Sequence, residues 1–556
     1  MKRIRVVFCG ILCVILSGCV TTSKAGDTAA AKAPKTTGKT YYVDSRQGND
    51  GNDGLSAKKA WKSLDAVNRI TFSPGDTILF KAGAVWKGQL KPQGSGTPEN
   101  PIRIDQYGSK EPAGNFKGLP RIDAEGQYDA ALYLYNIQGW EVRHLELTNT
   151  GPTDKARRSG AWVQIRNFGT AKHIILDGLY IHDVNGSLVK KEGGGQGIRL
   201  SNEGSRSQQS RFDGLIVENC LLQRCRRNGI IQNGYWQRDR WYPNLNVVIC
   251  GNLLEEVPGD GIVPIGCDGA IIEYNRMRNC PRLLPEGEAA AGIWPWSCDN
   301  TIIQFNEVSD HKAPWDGQGF DSDWNCRNTI IQYNFSHDNE GGFLLICNNS
   351  EVKMPSSVGN VGTIIRYNLS VNDGLRRQPT REGIFSPTFH ITGFCKDTKI
   401  YNNTIVVPKK PGEAIDHSII RMGDWGRAWP ENTRFENNIF YVEEKAEYKL
   451  GEDVGTAFLN NLYYGTQKNR SADPQAIVSD PRFASLTLAA IPARDASFVK
   501  KGFADDRYIL NFRLQKDSPC VGKGLIIPDN NGQDLLGHPV LKDTCSFGAI
   551  EYVPLP

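Results

Sequence analysis

One short pattern recurs through the middle of the chain and limits what it can fold into. LIVENC (215–220), VICGNL (248–253), IIEYNR (271–276), IIQFNE (302–307), IIQYNF (330–335), IIRYNL (364–369), KIYNNT (399–404) and TRFENN (433–438) each alternate in polarity and end in or near Asn. The Asn residues fall at 219, 252, 275, 306, 334, 368, 403 and 438, spaced by 23 to 35 residues. Alternation at period two with β-branched enrichment marks short strands, and no segment here sustains a helical period capped at both ends. A repeat of about 22 residues with variable loop insertions describes a stacked coil. A single coil cannot bury its own inward face, whereas stacked coils share a continuous core and hydrogen-bond strand to strand. Asn suits the corner because it accepts a left-handed φ and its amide can bond along a row of copies.

Two flanking stretches extend this reading. YYVDSRQGNDGNDGLSAKKAWKSLDAVN (41–68), PGDTILFKAG (74–83) and GQLKPQGSGTPENPIRIDQYG (88–108) resemble the N-terminal region of bacterial exported β-helix proteins that act on carbohydrates. The end of the chain, DPRF followed by LQKDSPCVGKG and FGAIEY, resembles the closing segment of the same pectate-lyase-like superfamily. The resemblance implies a fold and a glycan-acting theme. It does not fix a reaction, because hydrolases, lyases, epimerases and non-catalytic binders share this architecture. The expected fold class is all-β, a single-stranded right-handed parallel β-helix, the hand following the resemblance and the general crossover preference. Residues 39–465 are read as the β-helix with an N-terminal capping region, its coils running from about residue 100. Residues 466–556 are read as an irregular cap packed on the helix end.

The chain opens differently. Lys2, Arg3 and Arg5 precede the apolar run from Val6 to Leu16, which closes in Leu-Ser-Gly-Cys. This is a secretory leader of residues 1–18, and the last four residues resemble a bacterial lipobox, which implies cleavage before Cys19 and its lipidation. Residues 19–38 then read as a flexible tether. The expected location is the cell envelope, lipid-anchored or secreted, with membrane attachment through the lipid only. The formal net charge of +4 falls to +1 without the leader, which argues against a nucleic-acid partner. Of 14 cysteines, eleven lie beyond Cys19. Most recur at matching places in the coils, so buried thiols in rows are expected; Cys520 and Cys545 are the best disulfide candidates.

One coil breaks the apolar pattern. Aligned on the Gly that opens each strand, four coils read Gly261-IVPIGC, Gly292-IWPWSC, Gly319-FDSDWNC and Gly342-FLLIC. Ile262, Ile293, Phe320 and Phe343 are expected to face the core, and Val263, Trp294, Asp321 and Leu344 to face outward. Residues two apart share a face, so Asp321 and Asp323 project together with Cα atoms about 7 Å apart. Glycosidic cleavage uses one carboxylic acid and one carboxylate, and two close carboxyls split their pKa values to supply both. Trp294, Trp296, Trp315 and Trp324 would offer flat apolar surfaces to sugar rings. Asp323-Trp324, followed by HDNEGGF (337–343), also resembles the nucleophile region of β-helix β-xylosidases, which implies Asp323 as nucleophile. Where those enzymes hold their acid Glu, this chain reads FLLIC. The acid must then come from elsewhere, and Asp321 and Glu340 are the candidates.

Further residues complete the expected site. Asp260, Glu288, Asp316, Glu340 and Glu382 precede strand glycines, and in a row they could hold Ca²⁺ or orient sugar hydroxyls. His311 and His390 could exchange protons near the site, and Arg377, beside Arg376 and Arg381, could grip an acidic sugar. Three functions are carried forward. The first is a monomeric glycoside hydrolase acting without a cofactor on a polysaccharide or oligosaccharide. The second is a Ca²⁺-dependent lyase on a uronate glycan, and the third a non-catalytic glycan binder.

Overall fold

The computed structural model describes residues 38–111, 115–349, 357–380, 383–409, 415–486 and 502–554. The expected leader with Cys19, nearly all of the expected tether, Arg381 and Glu382 lie outside them. The described chain is a parallel β-helix built from three faces. On the first, strands stack from Thr40–Val43 through Thr77–Lys81 and Ile102–Tyr107 to Ala457–Leu459. The second runs from Val85–Lys87 to Ile477–Val478. The third runs from Ala130–Tyr135 through Gln318–Ser322 and Gly342–Asn348 to Ser418–Gly423. Stacking therefore begins at Thr40, well before residue 100, because the N-terminal strands pair in the same parallel register as the coils that follow.

The inward side chains form one apolar core. Ile230, Ile262, Ile293, Phe320, Leu344, Phe389 and Ile420, one from each of seven coils of the third face, all lie within it. The register differs from the expected one at a single point: Phe320 pairs with Leu344 and Asp321 with Leu345. An extra residue enters at Gly341-Gly342, where Gly342 has φ +129. Phe343 still packs inside, edge-on to Phe320 at 6.1 Å.

The Asn row is a hydrogen-bonded ladder. Asn252, Asn275, Asn306, Asn334, Asn368, Asn403 and Asn438 each donate their backbone N–H to the next Asn Oδ1 at 2.9–3.0 Å, and Asn461 closes the row. Asn219 is not a member. Cys220 takes that rung, and Asn219 bonds Asp177 instead. Nor do the ladder residues themselves adopt a left-handed backbone. The preceding residue does: Tyr274, Phe305, Tyr333 and Tyr367 have φ of 50 to 56. Each such aromatic costs roughly 1–3 kcal/mol of backbone strain, offset by the buried ladder and by ring stacking at 5.1, 5.0 and 5.9 Å.

The C-terminal segment covers this aromatic corner. Gln533 accepts a hydrogen bond from the Tyr333 hydroxyl, and Phe503 and Tyr508 pack on Phe335. It thus lies along the side of the helix and not only on its end, because the stacked rings are its apolar partner and are buried beneath it. The described cysteines are free thiols, Cys520 and Cys545 included. Cys545 Sγ instead sits 3.1 Å from the Leu525 carbonyl.

The ladder predicts a specific weakness. Replacing Asn306 by Ala leaves the Asn275 N–H and amide without their acceptor, a loss expected to be on the order of 3 kcal/mol. Denaturant unfolding measures it, and a change below ~0.5 kcal/mol would show that the ladder adds no stability.

Candidate active site

The outward residues of the third face fall into two columns, because each strand pairs in register with the next. The first column is Ile231, Val263, Trp294, Asp321, Leu345, His390 and Arg421; the second is Asn233, Ile265, Trp296, Asp323, Cys347, Thr392 and Gly423. All fourteen line one cavity of about 820 Å³. Asp321 and Asp323 occupy the middle coil of the seven. Asp316 enters the same cavity from the turn before the strand.

The three carboxyls are not equivalent. Asp321 is 4% exposed, and its Oδ1 has no hydrogen-bond partner. Burial, then Asp323 and Asp316, push its pKa well above the carboxylate range, so it holds a proton. One oxygen of Asp321, one of Asp323 and the Cys347 Sγ all lie within 4.8 Å of one another. Burial raises Asp323 as well, but two donors oppose it: the Cys347 thiol at 3.1 Å and the Trp324 N–H at 2.6 Å. The net shift of Asp323 is still upward, but smaller, so it is the more acidic member of the pair. The Cys347 thiol itself is pushed well up by burial and these neighbours, so it stays a donor.

Asp316 stands apart from the pair. Burial, Asp323 and Asp260 raise its pKa to about 7, against the lowering influence of Lys190 and Arg376. Its backbone is left-handed at φ +59, a conformation that costs free energy in a non-glycine residue and is held by its surroundings. An added Cβ on Gly341 would sit 1.8 Å from the Asp316 carbonyl oxygen, so only glycine fits there. Expected to bind substrate, Asp316 instead has the position and proton affinity of a proton donor.

Aromatic side chains wall the cavity. Trp294 donates its Nε1–H to Asp260 at 3.2 Å, and Trp296 stacks on Trp236 at 5.2 Å. On the other side Trp315 faces Phe385, and Trp324 meets the exposed Trp425 edge-on at 5.4 Å. The four expected tryptophans all line the cavity. Trp425 and Phe385 went unnoticed because they sit in loops with no repeat signature.

Other expected residues are placed elsewhere or act differently. Glu340 is not a lining residue; it pairs with Arg282 at 3.3 Å, outside the cavity. Asp260 lines the cavity but is bound by Arg227 and Lys190, and Glu288 by Arg227, so the acidic residues do not form one open cation row. His311 is buried away from the cavity against the Gly259 carbonyl, and burial lowers its pKa to about 4. His390 lines the cavity, where burial and Arg421 lower it to about 3, leaving it neutral. Arg377 is exposed and outside the cavity, while its neighbour Arg376 is buried and lines it. Lys190, from a loop inserted four coils earlier, sets its ammonium 3.6 Å from Asp260 and 5.1 Å from the Trp294 ring. Only its place in the fold identifies it, since a lone loop lysine carries no sequence signal.

No protein-family model matches the chain. It is similar to lacto-N-biosidase of Bifidobacterium longum, 27% identical over 92% of this chain and 36% of that protein. The chain thus spans little more than a third of that relative's length. A stretch of 88 residues, 14% of each chain, is 34% identical to alpha-1,3-galactosidase A of Akkermansia muciniphila. The crystal structure of the GH136 lacto-N-biosidase of Eubacterium ramulus aligns with 66% of this chain and 64% of its own, at 29% identity and a TM-score of 0.53.

Proposed function

We propose that this protein is a glycoside hydrolase acting on oligosaccharides, with Asp316 as general acid and Asp323 as nucleophile or base. One observation carries the reading: a Trp-walled cavity holds three buried carboxyls of unequal proton affinity, Asp323 steadied by two hydrogen-bond donors and Asp316 and Asp321 raised by burial and by their acidic neighbours. In the step, the Asp316 carboxyl gives its proton to the glycosidic oxygen as the anomeric C–O bond breaks, and the bonding electrons leave with that oxygen. Asp323, held by the Cys347 thiol and the Trp324 N–H, either bonds the anomeric carbon, the ester then being displaced by a water that returns its proton to Asp316, or takes a proton from the water that itself bonds the anomeric carbon. Asp321 stays protonated behind the pair, so a second negative charge does not oppose Asp323. Similarity to two lacto-N-biosidases supports a substrate that carries a lacto-N-biosyl unit. The cavity, seven coils long, has length for sugars on both sides of the carboxyls.

A lyase fits less well. Of the basic groups that line the cavity, Arg376 is engaged by backbone carbonyls and Lys190 by Asp260, Arg421 lies over the Phe385 ring, and His390 is held at low proton affinity. We further propose an envelope location with lipid attachment at Cys19, supported by the basic leader and its Leu-Ser-Gly-Cys ending. The mass of the mature N-terminus tests this.

Digestion of a panel of oligosaccharides, including one ending in a lacto-N-biosyl unit, is expected to give new reducing ends and no unsaturated sugar. Unsaturated products would sink the hydrolase reading in favour of the lyase, and no products would favour a binder. Asp323→Asn is expected to abolish turnover, and Asp316→Asn to lower kcat by about 10²- to 10⁴-fold on sugar leaving groups. Because Asp316 must hold its proton to act, wild-type activity is expected to fall as pH rises through about 7. A profile flat from pH 6 to 9 would exclude Asp316 as the acid.

A further inference from the structure

The turn that carries Asp316 is fastened by one side chain from a distant part of the sequence. Arg376 lies in the connection between Leu369–Val371 and Phe389–Gly393, two coils beyond the turn. Its side chain is buried, 1% exposed. Nη1 donates to the Ala313 carbonyl at 2.6 Å and the Pro314 carbonyl at 3.0 Å, and Nη2 donates to the carbonyl of Asp316 itself. Nε donates to the Phe385 carbonyl at 3.1 Å. Four of the five guanidinium N–H groups are thereby spent on main-chain oxygens, three of them within residues 313–316. A guanidinium presents its donors in a fixed fork and an ammonium does not. Its charge is balanced at longer range by Glu340, which in turn pairs with Arg282.

We infer that Arg376 is the positioning residue for the general acid: by tying the carbonyls of residues 313, 314 and 316 together it holds Asp316 in its left-handed conformation with the carboxyl aimed into the cavity. The inference rests on the hydrolase reading. It explains why a buried cation lies beside a site that needs negative charge and proton-bearing carboxyls. The guanidinium bonds the main chain of the acid and not its side chain, and its charge is the smallest of the influences on the Asp316 proton affinity. The neighbouring Gly341 leaves room for the same carbonyl.

The test separates loss of acid catalysis from loss of structure by varying the leaving group. An activated aryl glycoside needs little protonation on departure, whereas a sugar leaving group needs it fully. Arg376→Lys and Arg376→Ala are assayed beside wild type and Asp316→Asn on a lacto-N-biosyl oligosaccharide and on the matching nitrophenyl glycoside. The expected result is a fall in kcat of about 10²-fold or more on the oligosaccharide but less than about tenfold on the aryl substrate, with KM little changed. Added guanidinium ion is expected to restore part of the kcat of Arg376→Ala. Equal losses on both substrates, or a lysine variant as active as wild type, overturn the role. Should Arg376→Ala not fold, Arg376→Lys decides the question alone. If Asp316→Asn shows the leaving-group split and the Arg376 variants do not, only Arg376 is wrongly assigned. If wild type cleaves neither substrate, the hydrolase reading falls and takes the role of Arg376 with it.

Discussion

The hydrogen-bonded spacing of about 4.8 Å between successive coils governs the rest of this molecule. It forces each strand position to stand above its counterpart in the previous coil, so a choice made at one residue is read against the same column throughout. The inward columns fill with Ile, Leu and Phe, and the corner column fills with Asn. The outward columns of the third face take no part in that core, although Ile231, Val263, Ile265 and Trp294 pack among themselves at one end. Seven coils of them make one long hollow whose middle rung carries acids.

Placing three carboxyls in that hollow is electrostatically unfavourable, and the structure shows how the cost is limited. Two of them stay neutral near pH 7 or below, and the third is held by a thiol and an amide N–H. Lys190 supplies a positive charge at the cavity wall, seated between Asp260 and Trp294. The frame tolerates this strain because its rigidity is made elsewhere, in the core and in the ladder, neither of which depends on the identity of outward residues.

The repeat pattern made the fold legible, and the outward placement of Asp321 and Asp323 followed from period-two alternation alone. Three features were hidden for definable reasons. The left-handed corner belongs to the residue before each ladder Asn: an aromatic in the four middle coils, where rings stack between coils, and Gly251, Asn402, Asn437 and Asn460 in the others. The register slip at Gly341-Gly342 put Leu345, not Leu344, beside Asp321, because one added residue between strands leaves no trace in local composition. Asp316 and Arg376 looked like ordinary turn and loop residues. Their importance lies in contacts spanning sixty positions, which no spacing rule exposes.

The slip at Gly341-Gly342 has a consequence for how such a chain can change over time. One surplus residue was absorbed at a corner, in a glycine free to adopt φ +129, and both outward columns resumed on the far side in phase. Connections between strands can therefore lengthen or shorten without disturbing the chemical rung, so long as whole coils remain. Diversification in this architecture is in effect partitioned: the walls and rim of the hollow are open to revision through inserted segments, while the reacting groups are inherited unchanged as part of the scaffold's own periodicity.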